Sequence, residues 1–483
     1  MNIGIISRNV GIALICNAIF MFLSAVVSAL SGFDSSFSPL LLSALITGLF
    51  GIFPMIFTTP NKDINTREGL AILLLAWVLS CIFGMIPYLL WGGEFTLDKA
   101  WFESTSGITT TGASCLKDIE TLPRGLLFWR SSTHYIGGLG VVVFIMMILP
   151  SFGSVRFRMS RMELTDVSRD NYRFKSDEYV KVVVLVYVGI TLACLVCLLL
   201  AGMPFFDAVN HAFSTAATGG FSTRNASIAA YDSVAIELIL AVFMTLATLH
   251  FGLIYSSIVS RKPGKLLNNP ITKFYLATIL VSVVLVTLSL VASGTCPNVW
   301  HSLRLANFEV VSTITTSGFA IANTTHWPVF SMLVLLYAAI QCGCSGSTTS
   351  GVRSDRIWIL FKASKAQLTR MAHPNAVVTV KSGKQIIDNE LLSSVSIYVL
   401  LYMLITFIFS LIYAAFGWNL TDSLSTSVSM MSNVGPAFGT FNSVSSYDAA
   451  PAAARVILGI QMIIGRLGIY SILLVFILFR KRN

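Results

Sequence analysis

The sequence predicts an all-α integral membrane protein: four pseudo-symmetric units of span, re-entrant short helix and span around one axis, preceded by two extra N-terminal spans. Three observations carry that prediction. The chain is 55% apolar and only 11% charged, with a mean hydropathy of +0.78, whereas a soluble domain carries about a quarter charged residues. Its apolar residues gather into continuous runs, and a helix of about 20 such residues crosses a bilayer. Four similar Ser/Thr/Gly segments follow alternate runs from the third onward. This composition excludes a soluble globular enzyme and a disordered chain, and eight Cys in 483 residues exclude a disulfide scaffold.

In chain order the runs lie at about 10–30, 38–57, 69–91, 126–150, 179–202, 233–259, 272–293, 328–342, 391–416 and 453–479. They are continuous rather than alternating, so helices are expected and not a barrel. The first run could be read as a cleaved leader ending near Val27-Ser28-Ala29, but the second follows at once and a retained helix is expected. The eighth is too short to cross alone and resumes at Ile357–Phe361 after a Gly/Ser-rich break. The expected organisation is two N-terminal helices in 1–60 and repeats at 61–155, 156–262, 263–385 and 386–483, the third with a broken second helix and a gate loop.

The net charge of +10 is a matter of topology. Most Lys and Arg residues fall on alternate loops: Lys62 and Arg67; Arg156, Arg158, Arg161, Arg169, Arg173, Lys175 and Lys181; Arg261, Lys262, Lys265 and Lys273; Arg353 to Lys384; and the tail Arg480-Lys481-Arg482. The positive-inside rule then puts both termini in the cytoplasm. No soluble segment is long enough to present a basic, aromatic-interleaved face, so no nucleic-acid partner is expected.

The opposite loops hold the repeat. They read TLDKAWFESTSGITTTGA (96–113), FFDAVNHAFSTAATGGF (205–221), RLANFEVVSTITTSGF (304–319) and LTDSLSTSVSMMSNVGPAF (420–438). Aligned on Gly112, Gly220, Gly318 and Gly435, each has a serine at the same offset, Ser106, Ser214, Ser312 and Ser429. Thr110, Thr218, Thr316 and Asn433 stand two before the glycine, and Thr111, Gly219, Ser317 and Val434 one before it. Asp98, Asp207 and Asp422 suit an N-cap or helix start; the third segment lacks this acid. Each stretch is too short to cross and too polar to face lipid, and such backbone survives at membrane depth only inside protein or beside a water-filled cavity. Four around one axis can form a pore. Glycine admits the positive φ that turns carbonyls toward the axis, and rings of carbonyls with Thr hydroxyls replace the water shell of a monovalent cation. Four unremarkable loops would not match at several offsets.

These segments, with WRSSTHYIGGLGVVVF (129–144) and CGCSGSTTSGVRSDR (342–356), resemble the TrkH/KtrB family of the potassium transporter superfamily over essentially the whole chain. The resemblance implies K⁺ uptake across the bacterial inner membrane through one pore per subunit, a homodimer, and a cytosolic nucleotide-binding ring of the TrkA type as partner. K⁺ is then the transported ion, and no cofactor is expected. The alternative is a secondary transporter coupling cation entry to another ion, with a midplane site between broken helices. An enzyme is not expected: the chain has no phosphate loop, no H-E-x-x-H and no G-x-S-x-G.

Further residues join the candidate site. The break Gly343, Ser345, Gly346, Ser347, Thr348, Thr349, Ser350 and Gly351 makes no stable helix in lipid and reads as a gate, or as a plain connector. Arg466, within the last run, is expected to face inward, either bonding backbone carbonyls or forming a positive barrier at the gate. Gly465-Arg466-Leu467-Gly468 supplies no acid beside it. Arg130 is expected to snorkel at an outer helix start. Glu103 and Glu309, equivalent to His211 and Thr426, would brace the pore segments or concentrate cations. Cys342 and Cys344 read as small buried thiols, and a bridge between Cys115 and Cys296 is left open.

Overall fold

The computed structural model describes residues 2–58, 64–148, 176–375, 378–383, 385–442 and 445–479. Several expected cytoplasmic charges, Lys62, Arg156, Arg158, Arg161, Arg169, Arg173, Lys175, Lys384 and Arg480 to Arg482, lie outside those residues. The described chain is mostly helical, and each of the ten apolar runs is helical. Among the described residues six helices are long and apolar enough to cross a membrane, or eight if each of two bent pairs is one span.

α1 (Ile3–Leu30) and α2 (Phe37–Phe57) form the N-terminal hairpin. They touch through glycine, since a Cβ at Gly11 or Gly51 would strike the carbonyl of the other. Asp34 in the connecting loop accepts from Ser28 Oγ, from Ser36 N at 3.0 Å and from Gly125 N at 3.2 Å, which fastens the hairpin to the rest. Burial of this loop carboxyl works against its ionisation, but those donors outweigh it and hold its pKa below the usual value. Leu45, Leu49, Phe53 and Phe57 of α2 stay exposed, as lipid-facing side chains do.

Then come α3 (Thr66–Gly84), α4 (Ile86–Trp91), the short α5 (Leu97–Ile108) and α6 (Arg124–Ile148). Next are α7 (Ser176–Leu200), the short α8 (Phe205–Ala216), α9 (Val234–Ala247) and α10 (Phe251–Val259). α11 (Pro270–Ala292), the short α12 (Val299–Ile314), α13 (Val329–Gln341) and α14 (Ser354–Ala372) follow. The chain closes with α15 (Asn389–Ala415), the short α16 (Leu420–Ser432), α17 (Ala452–Leu467) and α18 (Ile469–Phe479). Local signals start several of these: Asn269 accepts from Ile271 N before α11, and Asp388 from Leu391 N before α15.

Three details depart from the sequence reading. The sixth run is not one helix: α9 and α10 meet at 100°, where His250 caps α10 by accepting from Leu253 N. The tenth also bends, by 102°, at Gly468 with φ 80°. Each bend interrupts its apolar run for only a few residues, Thr248 to His250 and Arg466 to Gly468, so the length of the run does not report it, whereas Gly468 is the backbone element that permits the second. The third departure is a two-stranded antiparallel hairpin in an otherwise helical chain, β1 (Lys381–Ser382) with β2 (Gln385–Ile386).

Candidate functional site

The four short helices share one ending. Each stops at a residue in left-handed backbone: Thr110 (φ 53°), Thr218 (53°), Thr316 (55°) and Asn433 (56°). Left-handed backbone costs an ordinary residue about 1–2 kcal/mol. Its recurrence at four equivalent places marks a conformation the surroundings impose. The next residue's N–H then bonds back to the conserved-offset serine carbonyl: Thr111 to Ser106 and Gly219 to Ser214 at 2.8 Å, Ser317 to Ser312 and Val434 to Ser429 at 2.9 Å. One residue on, Gly112, Gly220, Gly318 and Gly435 again take positive φ, from 71° to 98°.

These turns meet each other in order. A Cβ on Gly112 would collide with the carbonyl oxygen of Gly219, one on Gly220 with that of Ser317, one on Gly318 with that of Val434, and one on Gly435 with that of Thr111. The contacts close a ring of four glycines and four carbonyls drawn from segments far apart in the chain. Outside the ring lies a cavity of about 380 Å³ lined by all four glycines. Arg224, Lys117 and Asp448 stand at its mouth. Lys99 bonds the Asp448 carboxylate at 2.5 Å and holds its pKa below the usual value.

Behind the ring the exit strands are tied to their helices. Glu103 accepts from Ser114 Oγ at 3.0 Å, from Cys115 N at 3.2 Å and from Arg130 Nε at 2.8 Å. His211 Nε2 and Ser222 Oγ are 3.0 Å apart, and Glu309 accepts from Ile321 N and Ala322 N at 2.9 and 3.1 Å. In the fourth segment Asp422 accepts from Thr440 N at 2.8 Å. Asp98, Asp207 and Asp422 sit in the first helical turn rather than at the cap, which falls on Thr96, Pro204 and Asn419. The third short helix, α12, which lacks this acid, is capped by Asn298, whose Oδ1 accepts from Trp300 N and His301 N.

On the far side of the ring, 342–351 packs as a buried loop between α13 and α14. Cys344 N donates to Thr248 O at 3.0 Å, Phe251 N to Gly346 O at 3.1 Å, and Ser345 N to Asp355 Oδ1 at 3.0 Å. Thr218 Oγ1 reaches Thr348 Oγ1 at 3.3 Å, linking the ring's second segment to this loop. Arg466, buried in α17, donates from Nη1 to Thr348 O at 2.7 Å and to Ser350 Oγ at 3.1 Å, and from Nη2 to Gly137 O at 3.1 Å. The Trp77 ring lies 5.9 Å from its guanidinium carbon. Its partners are carbonyls, a hydroxyl and a ring face rather than an acid.

The family model described as TrkH, cation transport protein, matches residues 43–482. The chain belongs to the TrkH family. Among relatives, it is 33% identical to the Trk system potassium uptake protein TrkH of Salmonella typhimurium, with 99% of each chain covered. It is also 33% identical to the Trk system potassium uptake protein TrkG of Escherichia coli over 434 residues, covering 87% of each. The crystal structure of the potassium transporter TrkH from Vibrio parahaemolyticus superposes with a TM-score of 0.89 at 28% identity, covering 98% of both chains. This TrkH-family chain is therefore a multi-pass membrane protein of a family of transporters, not of enzymes.

The twelve residues singled out for the ring are thus adjacent, as are the loop and Arg466. One expectation is corrected, and the open question of a bridge is answered. Arg130 does not snorkel: it is 1% exposed, paired with Glu103 and set over the Phe221 ring at 4.1 Å, because the buried carboxylate offers it more than the interface does. Cys115 is buried against Glu103, Cys296 is half-buried, and all eight Cys are free. Among the described residues no group of three or more His, Cys, Asp or Glu is placed to hold a metal ion. Sequence reading missed His134, which shares a 2.7 Å hydrogen bond with Ser214 Oγ of the second segment. His134 sits in the quoted segment 129–144, but nothing there tells which neighbour it meets.

Proposed function

We propose that this chain admits K⁺ into the cell through a single pore formed by its four pseudo-symmetric repeats. Thr110 to Gly112, Thr218 to Gly220, Thr316 to Gly318 and Asn433 to Gly435 line the selectivity filter. The observation that carries this reading is the closed ring of glycines and carbonyls, because ringed carbonyls with no charge of their own suit a dehydrated monovalent cation. The short helices point their negative C-terminal ends at the ring, which favours a cation further. The loop Gly343 to Gly351 is the gate, with Arg466 holding it closed across the path below the filter. The protein sits in the bacterial inner membrane with both termini cytoplasmic, as a homodimer with one pore per chain. A cytosolic nucleotide-binding ring of the TrkA type pulls on the basic inner loops to open it, in keeping with the Trk system named for its relatives.

The deciding experiment is flux of K⁺, Rb⁺ and Na⁺ into liposomes holding the purified protein, with a potential as the driving force and no second solute. Potential-driven K⁺ entry supports the pore. Entry only when H⁺ or Na⁺ moves with it overturns the pore and favours a coupled transporter. Mixed dimers of wild-type and filter-dead chains keep about half the flux if each chain has its own pore.

A further inference from the structure

Of the four carbonyls in the ring, three belong to residues with side chains, Thr111, Ser317 and Val434, and the other to Gly219. A glycine has no Cβ to pack and the widest backbone freedom. Something outside the segment must therefore hold the Gly219 carbonyl in register. The imidazole of His134, on α6 and fully buried, occupies the place where a Gly219 side chain would lie: a Cβ there would collide with Nδ1, Cγ and Cε1.

The ring is fixed from two further sides. It stacks on Phe221 at 4.1 Å with an interplanar angle of 13°, and Phe221 also carries the Arg130 guanidinium at 4.1 Å. Nδ1 shares a 2.7 Å hydrogen bond with Ser214 Oγ. Ser214 carbonyl in turn accepts from Gly219 N at 2.8 Å. Imidazole, serine and glycine thus form a closed contact triangle. The equivalent serines are held otherwise: Ser312 Oγ bonds its own segment at Phe319 O, and among the described residues Ser106 Oγ and Ser429 Oγ have no partner.

We infer that His134 is a positioning residue for ion selectivity, standing in for the side chain Gly219 lacks and so setting the carbonyl that Gly219 presents to the ion. This rests on the filter reading above. The neighbouring contacts of α6, Thr133 against Gly107 and Gly137 against the Ile108 carbonyl, make the same helix a rail for the first segment.

The test measures the K⁺/Na⁺ flux ratio in liposomes. A wild-type protein with no preference for K⁺ sinks the filter reading itself and is thereby told apart from failure of this inference. Given a selective wild type, His134→Ala lowers the ratio about fivefold, the factor one net hydrogen bond is worth. His134→Gln, which still reaches Ser214, loses less. The double variant His134→Ala with Gly219→Ser, whose new Cβ fills the vacated space, regains selectivity over His134→Ala alone. A merely structural histidine would not give that rescue. Wild-type selectivity in folded His134→Ala overturns the inference. Should that variant not fold, wild-type selectivity in both His134→Gln and Ser214→Ala overturns it.

Discussion

Between the first and second short helices the ring rests on buried polar and charged groups: Glu103 with Arg130, Arg130 over Phe221, and His134 with Ser214. Between the third and fourth it rests on Ala339, Val428 and Val434, with Leu336 and Ile340 packed against them. Glu309 and Asp422 on that side bond backbone or hydroxyls of their own segments, and one polar tie across it, Asn442 to Thr325 Oγ1 at 2.7 Å, lies further out. The same backbone turn is therefore held by directional bonds on one side and by shape on the other. Polar networks fix a geometry and fail badly when half removed, whereas apolar contacts of the right volume tolerate exchange.

The largest test removes one partner of the ion pair. Glu103→Ala strands the Arg130 charge in the interior and is expected to cost about 3–5 kcal/mol. Val428→Ala, on the apolar side, should cost about 2 kcal/mol or less. Thermal unfolding in detergent ranks the two, and equal losses would erase the contrast between the sides.

Next in size is the link beneath the ring, where Arg466 joins the loop of the third repeat to α6 of the first. Arg466→Ala, or a loop shortened by several residues, should raise partner-independent K⁺ flux several-fold with selectivity intact. Flux equal to wild type with and without the partner would reduce the loop to a connector.

Asn433 sharpens the comparison at the seam between fourth and first segments, donating to Thr111 Oγ1 at 2.9 Å and to Met462 O at 3.0 Å. Its φ of 56° separates two costs. Asn433→Gly relieves the backbone and loses the bonds; Asn433→Ala loses both. The alanine variant should be less stable by about a further 1 kcal/mol, measured by urea or thermal unfolding, and identical variants would remove strain from the account.

The smallest effect is at the mouth. Asp448, its pKa lowered chiefly by the bond from Lys99, is ionised throughout the neutral range. Its contribution is complete above its unfolded value of about 3.9 and is lost only as pH falls through the lower folded value. Uptake should be flat in this group from pH 5 to 8. Asp448→Asn, which keeps an oxygen for Lys99 to donate to, should change uptake by less than about twofold, and a loss of activity centred on pH 6 that this substitution abolishes would overturn that assignment.

Much of this was readable in advance. The spans, the four glycines and the serine offset follow from composition and repetition, because lipid and a repeated turn each impose a local rule. The bends at Thr248 to His250 and at Gly468 did not show, since each interrupts its apolar run for only a few residues. The burial of Arg130 and the position of His134 depend on partners brought up by tertiary packing, Glu103 from a neighbouring helix and Gly219 from another repeat. Local pattern carries no record of such pairings.

The hydrogen bond from Asn433 to Thr111 spans 322 positions of sequence. Chains emerge from the ribosome at about 5–20 residues per second, so the first segment waits on the order of tens of seconds for the strand that completes its circle. During that interval α5 and α6 can already join through Glu103 and Arg130, and α8 can seat against His134. The half with directional bonds is therefore also the half made first, able to hold its turns while the Thr111 carbonyl, which faces the absent fourth segment, stays open to water. Closure comes last, from the repeat carrying Asn433, which acts as the clasp in biogenesis.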